Sequence, residues 1–179
     1  MQFFKRHIIV KQLGVLTLCV AQLAHAHLMV AQHGTLNIVD DGAFMVLSLP
    51  ISAFAGIDDD NDGKVSMVEF NRHRSVIVES VTQNVTLSDS HGEVHLQDIM
   101  LSPVASNDMA VEPLSQLVIL GRFPLNEPFS ALRFHVGLYG GLTTEQSLKI
   151  TAMRKSDHQK DLFELTPIAT TALLFPGDY

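Results

Sequence analysis

Cysteine is almost absent from this chain of 179 residues. The single one, Cys19, lies in an N-terminal segment that we expect to be removed, so disulfides and thiol chemistry should contribute to neither stability nor function. A chain of this length can bury enough apolar surface to fold without covalent crosslinks. We therefore expect one domain whose stability depends on its apolar core.

Long apolar runs are also scarce. The run from Leu13 to Leu23 follows a basic start and precedes Ala24-His25-Ala26, a small-x-small cleavage site. It is too short to cross a bilayer comfortably, which takes ~20 apolar residues. These features predict a signal peptide over residues 1–26, cleaved after Ala26, and a secreted or periplasmic protein from 27 to 179. An uncleaved membrane anchor is the alternative.

Positive charge is limited. The formal net charge is -7, and the predicted leader carries three basic residues and no acid, which leaves minus ten after cleavage. So acidic a chain is not expected to bind nucleic acid or anionic membrane surfaces.

Recognisable catalytic motifs are missing. The sequence has no G-x-S-x-G elbow, no H-E-x-x-H, no phosphate-cradling glycine loop and no cysteine beyond the leader. No residue is nominated as nucleophile or general base. We therefore expect the protein not to be an enzyme.

The most specific pattern present is D-D-D-N-D-G-K-V-S-M-V-E, from Asp58 to Glu69. It fits the EF-hand calcium loop at every required position, with Gly63 at the sharp turn. Ca²⁺ takes six to eight oxygens, and this spacing supplies them from one short loop. The predicted ligands are Asp58, Asp60, Asp62, the carbonyl of Lys64, Ser66 and Glu69.

The charge of this loop supports a cation site. Five acids against Lys64 repel one another unless a cation lies among them, although a solvated acidic turn is the alternative. Extracellular calcium modules bind with dissociation constants of ~10⁻⁴ to 10⁻³ M, so a weak structural site is expected rather than a sensor. EF-hands commonly work in pairs, so a lone loop needs support from the sheet or from a second copy in a homodimer.

The rest of the chain predicts a mainly β fold. Short runs of alternating apolar and polar residues with turns between them indicate an antiparallel β-sandwich-like domain with an EF-hand insertion at about 50–82. Within the insertion we expect a turn or two of incoming helix over Ile51–Ile57 and a helix from Met67 to about Thr82. Residues 102–113, with two prolines, predict an irregular connection.

Several segments occur in an order that we associate with one family. They are A-H-A-H at Ala24–His27, D-x-D-G-K-x-S-x-x-E-F at Asp60–Phe70, a helix with His73, V-T-L-S-D at Val85–Asp89, D-H-Q-K-D-L at Asp157–Leu162 and L-L-F-P-G-D at Leu173–Asp178. This order resembles the extracytoplasmic N-terminal region of hydrogenase/urease accessory membrane proteins of the HupE/UreJ type. Such proteins continue into membrane helices linked with nickel or other metal handling, which this chain lacks. Transport is therefore not carried over, but docking onto a separate membrane protein is a further hypothesis.

Histidines offer a second kind of metal site. Imidazole suits nickel, copper and zinc, and a periplasmic accessory protein that handles such metals is the alternative function. His27 would become the N-terminus, where its amine and ring together suit copper. His91 and His95 are expected to share a strand face with Glu93. A solvated strand face explains them as well.

Overall fold

The fold is described from a computed structural model, which describes residues 31–106, 113–127, 129 and 131–176. The predicted signal peptide and His27 lie outside these residues. The strands are β1 His33–Val39, β2 Gly42–Pro50, β3 Val85–Asp89, β4 Gly92–His95, β5 Gln97–Ala105, β6 Leu114–Pro124, β7 Arg133–Val136, β8 Leu148–Arg154, β9 Gln159–Leu165 and β10 Thr171–Leu173. The helix α1 is Met67–Asn84, and 3-10 turns occupy Ile51–Ala53 and Thr143–Glu145.

The strands form two sheets, which confirms the predicted mainly β fold with an inserted helical segment. A six-stranded sheet has the order β5-β6-β2-β1-β8-β9, and a four-stranded sheet has the order β10-β7-β3-β4. Consecutive strands pair through tight turns, as at Asp40-Asp41 between β1 and β2. Within the described residues, β1 and β8 pair in parallel, so the larger sheet is mixed. A parallel pair needs a long crossover connection, which the intervening chain supplies.

Alternation along the strands places one face of each sheet in a shared core. Leu36 and Ile38 on β1 are buried, while the residues between them are partly exposed. Phe123 of β6 and Phe134 of β7 meet edge-to-face with ring centroids 6.3 Å apart. Since these rings come from different sheets, the inner faces of the two sheets pack directly on each other.

Helix α1 is held at one end of the sandwich. Its buried residues Phe70, Ile77 and Val81 recur at helical spacing and join the core. Just before it, the Val65 carbonyl accepts a hydrogen bond from Leu114 N–H at the start of β6 (2.8 Å). At its other end, the Asn84 carbonyl accepts one from Gly137 N–H just after β7 (2.7 Å). We call this the loop end of the sandwich, because the acidic loop leads directly into α1.

Two local predictions need correction. The incoming arm of the insertion is a single 3-10 turn, Ile51–Ala53, because Phe54 is extended and Gly56 has a φ of 75°. The predicted irregular connection is wrong over its first part, since β5 continues to Ala105. Pro103 is tolerated there because β5 is an edge strand. The outgoing helix is confirmed and runs two residues beyond Thr82.

In the part of the chain that the structure describes, no helix combines the length and the apolar character that crossing a membrane requires.

Candidate metal centre

Aspartates of the loop fix its backbone through their own side chains. Asp58 Oδ2 accepts a hydrogen bond from Gly63 N–H (2.9 Å), and Gly63 has the positive φ of 79° that favours glycine. Asp60 Oδ1 accepts from Asp62 N–H (3.2 Å), and Asp62 Oδ1 accepts from Lys64 N–H (2.8 Å). Such local bonds are the usual way in which aspartate orders a turn. One oxygen of each aspartate therefore shapes the loop.

The other oxygen of Asp58 is left over. Its Oδ1 is buried and has no hydrogen-bond partner, although a buried carboxylate oxygen without a partner carries a desolvation cost. Asp58, Asp60 and Glu69 each offer a ligand oxygen, and these atoms lie within 4.8 Å of one another. Among the described residues, these three form the one group of at least three metal-ligating side chains whose ligand atoms come this close together. Such an oxygen cluster suits a hard cation.

Glu69 is held in place by three donors. Its Oε1 accepts Asp59 N–H (2.9 Å), and its Oε2 accepts both the N–H (2.8 Å) and the Oγ–H (2.7 Å) of Ser66. The Ser66 backbone N–H, then its hydroxyl and the Asp59 N–H, lower the pKa of Glu69 to about 2. In return, Ser66 Oγ accepts Glu69 N–H and completes a capping box at the start of α1. The last predicted ligand is thus preorganised and ionised.

Five of the six predicted ligands line one cleft. Asp60, Asp62, Lys64, Ser66 and Glu69 line an open cleft of about 430 Å³. Asp58 and Gly63 line a second cleft, which shares Lys64 with the first. The structure therefore gathers Asp58, Asp60 and Glu69 into one cluster and places Asp62, Lys64 and Ser66 beside it.

The sequence did not predict that Asp59, the second loop residue, contacts helix α1. Asp59 Oδ1 lies 2.7 Å from His73 Nε2, and Asp59 Oδ2 accepts a hydrogen bond from Arg72. The His73 hydrogen bond, followed by Arg72, lowers the pKa of Asp59 against the opposing effect of burial. Asp59 thus clips the loop to α1 rather than joining the ligand cluster. No spacing rule in the sequence would have predicted this contact.

Support for the single loop comes from the sheet. Val65, in the eighth loop position, is only 6% exposed and packs in the core. Its carbonyl bond to Leu114 N–H ties the loop to the first residue of β6. These contacts supply the support from the sheet that a lone loop is expected to need, and the homodimer stays a prediction.

The histidines do not gather into a comparable cluster within the described residues. Glu93 and His95 lie on β4, with Oε1 and Nδ1 3.7 Å apart, but His91 lies in the preceding turn rather than on the strand. His91 Nε2 is 4.0 Å from Glu127 Oε1. The transition-metal hypothesis therefore stays a prediction.

Comparisons with known proteins do not identify the chain. No model of a known protein family matches it, and no curated protein matches it in sequence. The resemblance to hydrogenase/urease accessory proteins stays a prediction.

Proposed function

We propose that this chain is a calcium-binding protein and that the ion stabilises the loop end of the fold. The observation that carries the proposal is the buried, unpartnered Oδ1 of Asp58 beside ligand oxygens of Asp60 and Glu69. A cation bound there would offset the desolvation of Asp58 and the repulsion between the acids.

The donor set favours calcium over other divalent ions. Every predicted ligand atom is an oxygen, from carboxylates, a hydroxyl and a backbone carbonyl, and oxygen ligands suit Ca²⁺ and Mg²⁺ rather than zinc or copper. Mg²⁺ requires near-ideal octahedral geometry and keeps several waters. A loop with six predicted protein ligands instead fits the larger and more flexible shell of calcium.

The surroundings of the site favour a structural role. Phe70, Ile77 and Val81 already fix α1 in the core, and Val65 already pairs with Leu114. An ion would add stability to elements that are in place, as expected for a secreted or periplasmic protein in a calcium-rich medium. We expect a dissociation constant of ~10⁻⁴ to 10⁻³ M.

Titration calorimetry on chelator-treated protein tests the proposal. We expect one Ca²⁺ per chain, and we expect Asp58→Ala and Glu69→Ala to abolish the binding heat. Glu79→Ala, which removes an exposed acid from the same helix, is the matched control and should bind as the parent does. Equal binding by all three variants would exclude this loop as the site.

The same proteins can be compared by thermal unfolding. At 10 mM Ca²⁺, the expected affinity stabilises the parent by about 1.4 to 2.7 kcal/mol, and Asp58→Ala should lose this gain. Metal analysis of protein purified without chelators adds a further check. Nickel, copper or zinc retained at one per chain would favour the histidine-based alternative.

A further inference from the structure

Strand β9 leaves backbone groups unpaired at one edge of the six-stranded sheet. It pairs along all seven of its residues with β8, on one side only. Lys149 N–H and Lys155 N–H point to β1 and the residue just before it, and successive residues of a strand direct their backbone groups to opposite sides. The even-numbered residues of β8 therefore bond to their odd-numbered register partners on β9. The N–H and C=O groups of Lys160, Leu162 and Glu164 are thus directed to the open edge, and among the described residues they have no other backbone partner.

The other strand edges are protected against pairing, whereas β9 is not. Native edge strands avoid pairing with other chains by being short or by carrying bulges or prolines. In the described part of the chain, β4 and β10 have only four and three residues, and β5 has two register shifts and Pro103. Strand β9 has seven residues, an unbroken register and neither proline nor glycine. It is therefore the edge best suited to accept a further strand.

We propose that the strand added at this edge is β9 of a second copy of the chain. A two-fold axis through Leu162, perpendicular to the sheet, makes the two strands antiparallel and joins the two sheets edge to edge. Leu162 then faces Leu162 of the second copy, and Lys160 faces its Glu164. Each contact except the central one occurs twice, as a two-fold interface requires. The dimer gains two backbone hydrogen bonds in each of the three facing pairs whose groups are free.

Length and charge together select this register. Residues that face each other across two strands lie on the same side of the sheet, so a perpendicular two-fold axis has to pass through a residue. An axis through Leu162 pairs all seven residues of β9, whereas any other axis within the strand leaves some unpaired. An axis through Lys160 or Asp161 would also place that charged residue against its own copy. With the axis at Leu162, Asp161 faces Phe163 on the inner side, so no like charges are directly opposed.

The side chains along this edge suit the proposed pairs. Leu162 is 67% exposed, and the pairing covers it with its own copy. Lys160 is exposed and has no ion pair among the described residues. Glu164 accepts a hydrogen bond from Ser147 at Oε1 only, which leaves Oε2 for the lysine of the second copy. Opposite charges facing each other on neighbouring strands stabilise a sheet, and here they form without displacing an existing ion pair.

The distribution of charge favours this edge for self-association. Copies of so acidic a chain repel each other, but three of the four lysines that follow the predicted leader lie on β8, on β9 or in the turn between them, namely Lys149, Lys155 and Lys160. At physiological ionic strength, the Debye length of ~8 Å screens acids far from this edge. Because an edge contact is smaller than a standard interface, we expect a dissociation constant of ~10 to 100 µM.

An exchange of charges tests the register. Lys160→Glu or Glu164→Lys alone sets like charges against each other twice, so each variant should dimerise about tenfold more weakly than the parent in sedimentation velocity. An equal mixture of the two variants sets the acids of one chain against the bases of the other. It should recover the affinity of the parent to within about threefold. Since positions 160 and 164 lie about 13 Å apart along one strand, this recovery requires two chains.

A proline tests the backbone pairing. Leu162→Pro removes an N–H that is directed to the open edge, where proline is tolerated in an edge strand. The monomer should therefore keep its melting temperature to within about 3 °C, while no dimer should be detected at about 500 µM. Leu162→Val keeps the N–H and is the matched control, which should dimerise to within about threefold of the parent.

The association should be equal with calcium and with a chelator, because the acidic loop follows β2, three strands away from β9. A dimer that forms only with calcium would place the contact at the loops and overturn the proposal. A parent that stays monomeric at about 500 µM would overturn it too, and would leave the edge to an extended segment of another protein. Failure of the mixed charge variants to dimerise would exclude this register. Since Lys160 and Glu164 are exposed, that test holds even if Leu162→Pro does not fold.

Discussion

The two ends of the sandwich neutralise acidic side chains in different ways. At the loop end, backbone and hydroxyl donors organise the ligand carboxylates, and no side-chain cation of the described residues contacts Asp58, Asp60 or Glu69. At the opposite end, where β8 turns into β9, Asp157 receives hydrogen bonds from Nε (2.9 Å) and Nη2 (2.7 Å) of Arg154. We call this the arginine end.

The arginine end carries its cation on the chain itself. Arg154 is only 3% exposed, and its guanidinium lies over the rings of Phe175 (4.6 Å) and Phe129 (5.1 Å). Aromatic faces and a carboxylate together compensate such a buried charge. The comparison implies that the arginine end needs no added cation, whereas the loop end, under the proposed function, gains stability from bound calcium.

The largest expected effect is a loss of core packing at the loop end, measured without calcium so that ion binding does not contribute. Phe70 is 1% exposed and anchors the first turn of α1 in the core. Phe70→Ala should lower the free energy of unfolding of the calcium-free protein by about 3–5 kcal/mol, through lost burial and the cavity left behind. Urea unfolding in the presence of a calcium chelator measures this loss of unfolding free energy. The loss exceeds the stabilisation expected from calcium binding.

The control for this change is Val76→Ala, on the exposed side of the same helix. It should alter the free energy of unfolding by no more than about 0.5 kcal/mol. If Phe70→Ala were equally mild in the calcium-free protein, α1 would not be packed in the core without the ion. The loop end would then depend on the ion alone.

The next effect concerns the arginine end. Arg154→Met keeps much of the side-chain length but removes the cation, so Asp157 loses its partner. We expect Tm to fall by on the order of 5 °C, equally with and without calcium. Arg133→Met, at an exposed position of β7, should leave Tm nearly unchanged. A calcium-dependent loss in Arg154→Met would show that the two ends are not independent.

The fold was largely predictable because its signals are local. Alternating residues such as Leu36 and Ile38 indicate strands, and Phe70, Ile77 and Val81 recur at helical spacing. The parallel pairing of β1 with β8 was not predictable, because it joins residues more than one hundred positions apart. The extent of β5 was missed since Pro103 appears as a breaker unless the strand is known to be an edge.

The candidate site also has a part that the sequence predicts and a part that it does not. The predicted ligands follow from spacing within one loop, so the sequence alone located the Asp58, Asp60 and Glu69 cluster. The contact of Asp59 with His73 depends on how α1 is oriented relative to the loop, and the Arg154 cluster depends on Phe175, which lies in the bend after β10. Such contacts are set by tertiary packing and leave no periodic signal in the sequence.

A smaller effect is expected at the start of α1. Ser66→Ala removes the hydroxyl that accepts from Glu69 N–H and donates to Glu69 Oε2. The calcium-free protein should lose about 1 kcal/mol of unfolding free energy, as is typical for an N-cap. Ser75→Ala, exposed on the same helix, is the control and should change stability by less than about 0.5 kcal/mol. Calorimetry should also show weaker calcium binding in Ser66→Ala only, and equal losses in both variants would contradict the capping role.

The smallest expected effect is a pH dependence at the arginine end. The hydrogen bond from Arg154 holds the pKa of Asp157 below its ordinary value of 3.8. A carboxyl with a lowered pKa in the folded state stabilises the fold above its unfolded pKa, and this contribution disappears as the pH falls through the folded value. Asp157→Asn should therefore lower Tm by about 2 °C at pH 7, since the pair is partly exposed. The two melting curves should converge below about pH 4 as the parent becomes protonated. A gap that stays constant down to pH 2.5 would mean that Asp157 acts through the shape of the turn rather than through its charge.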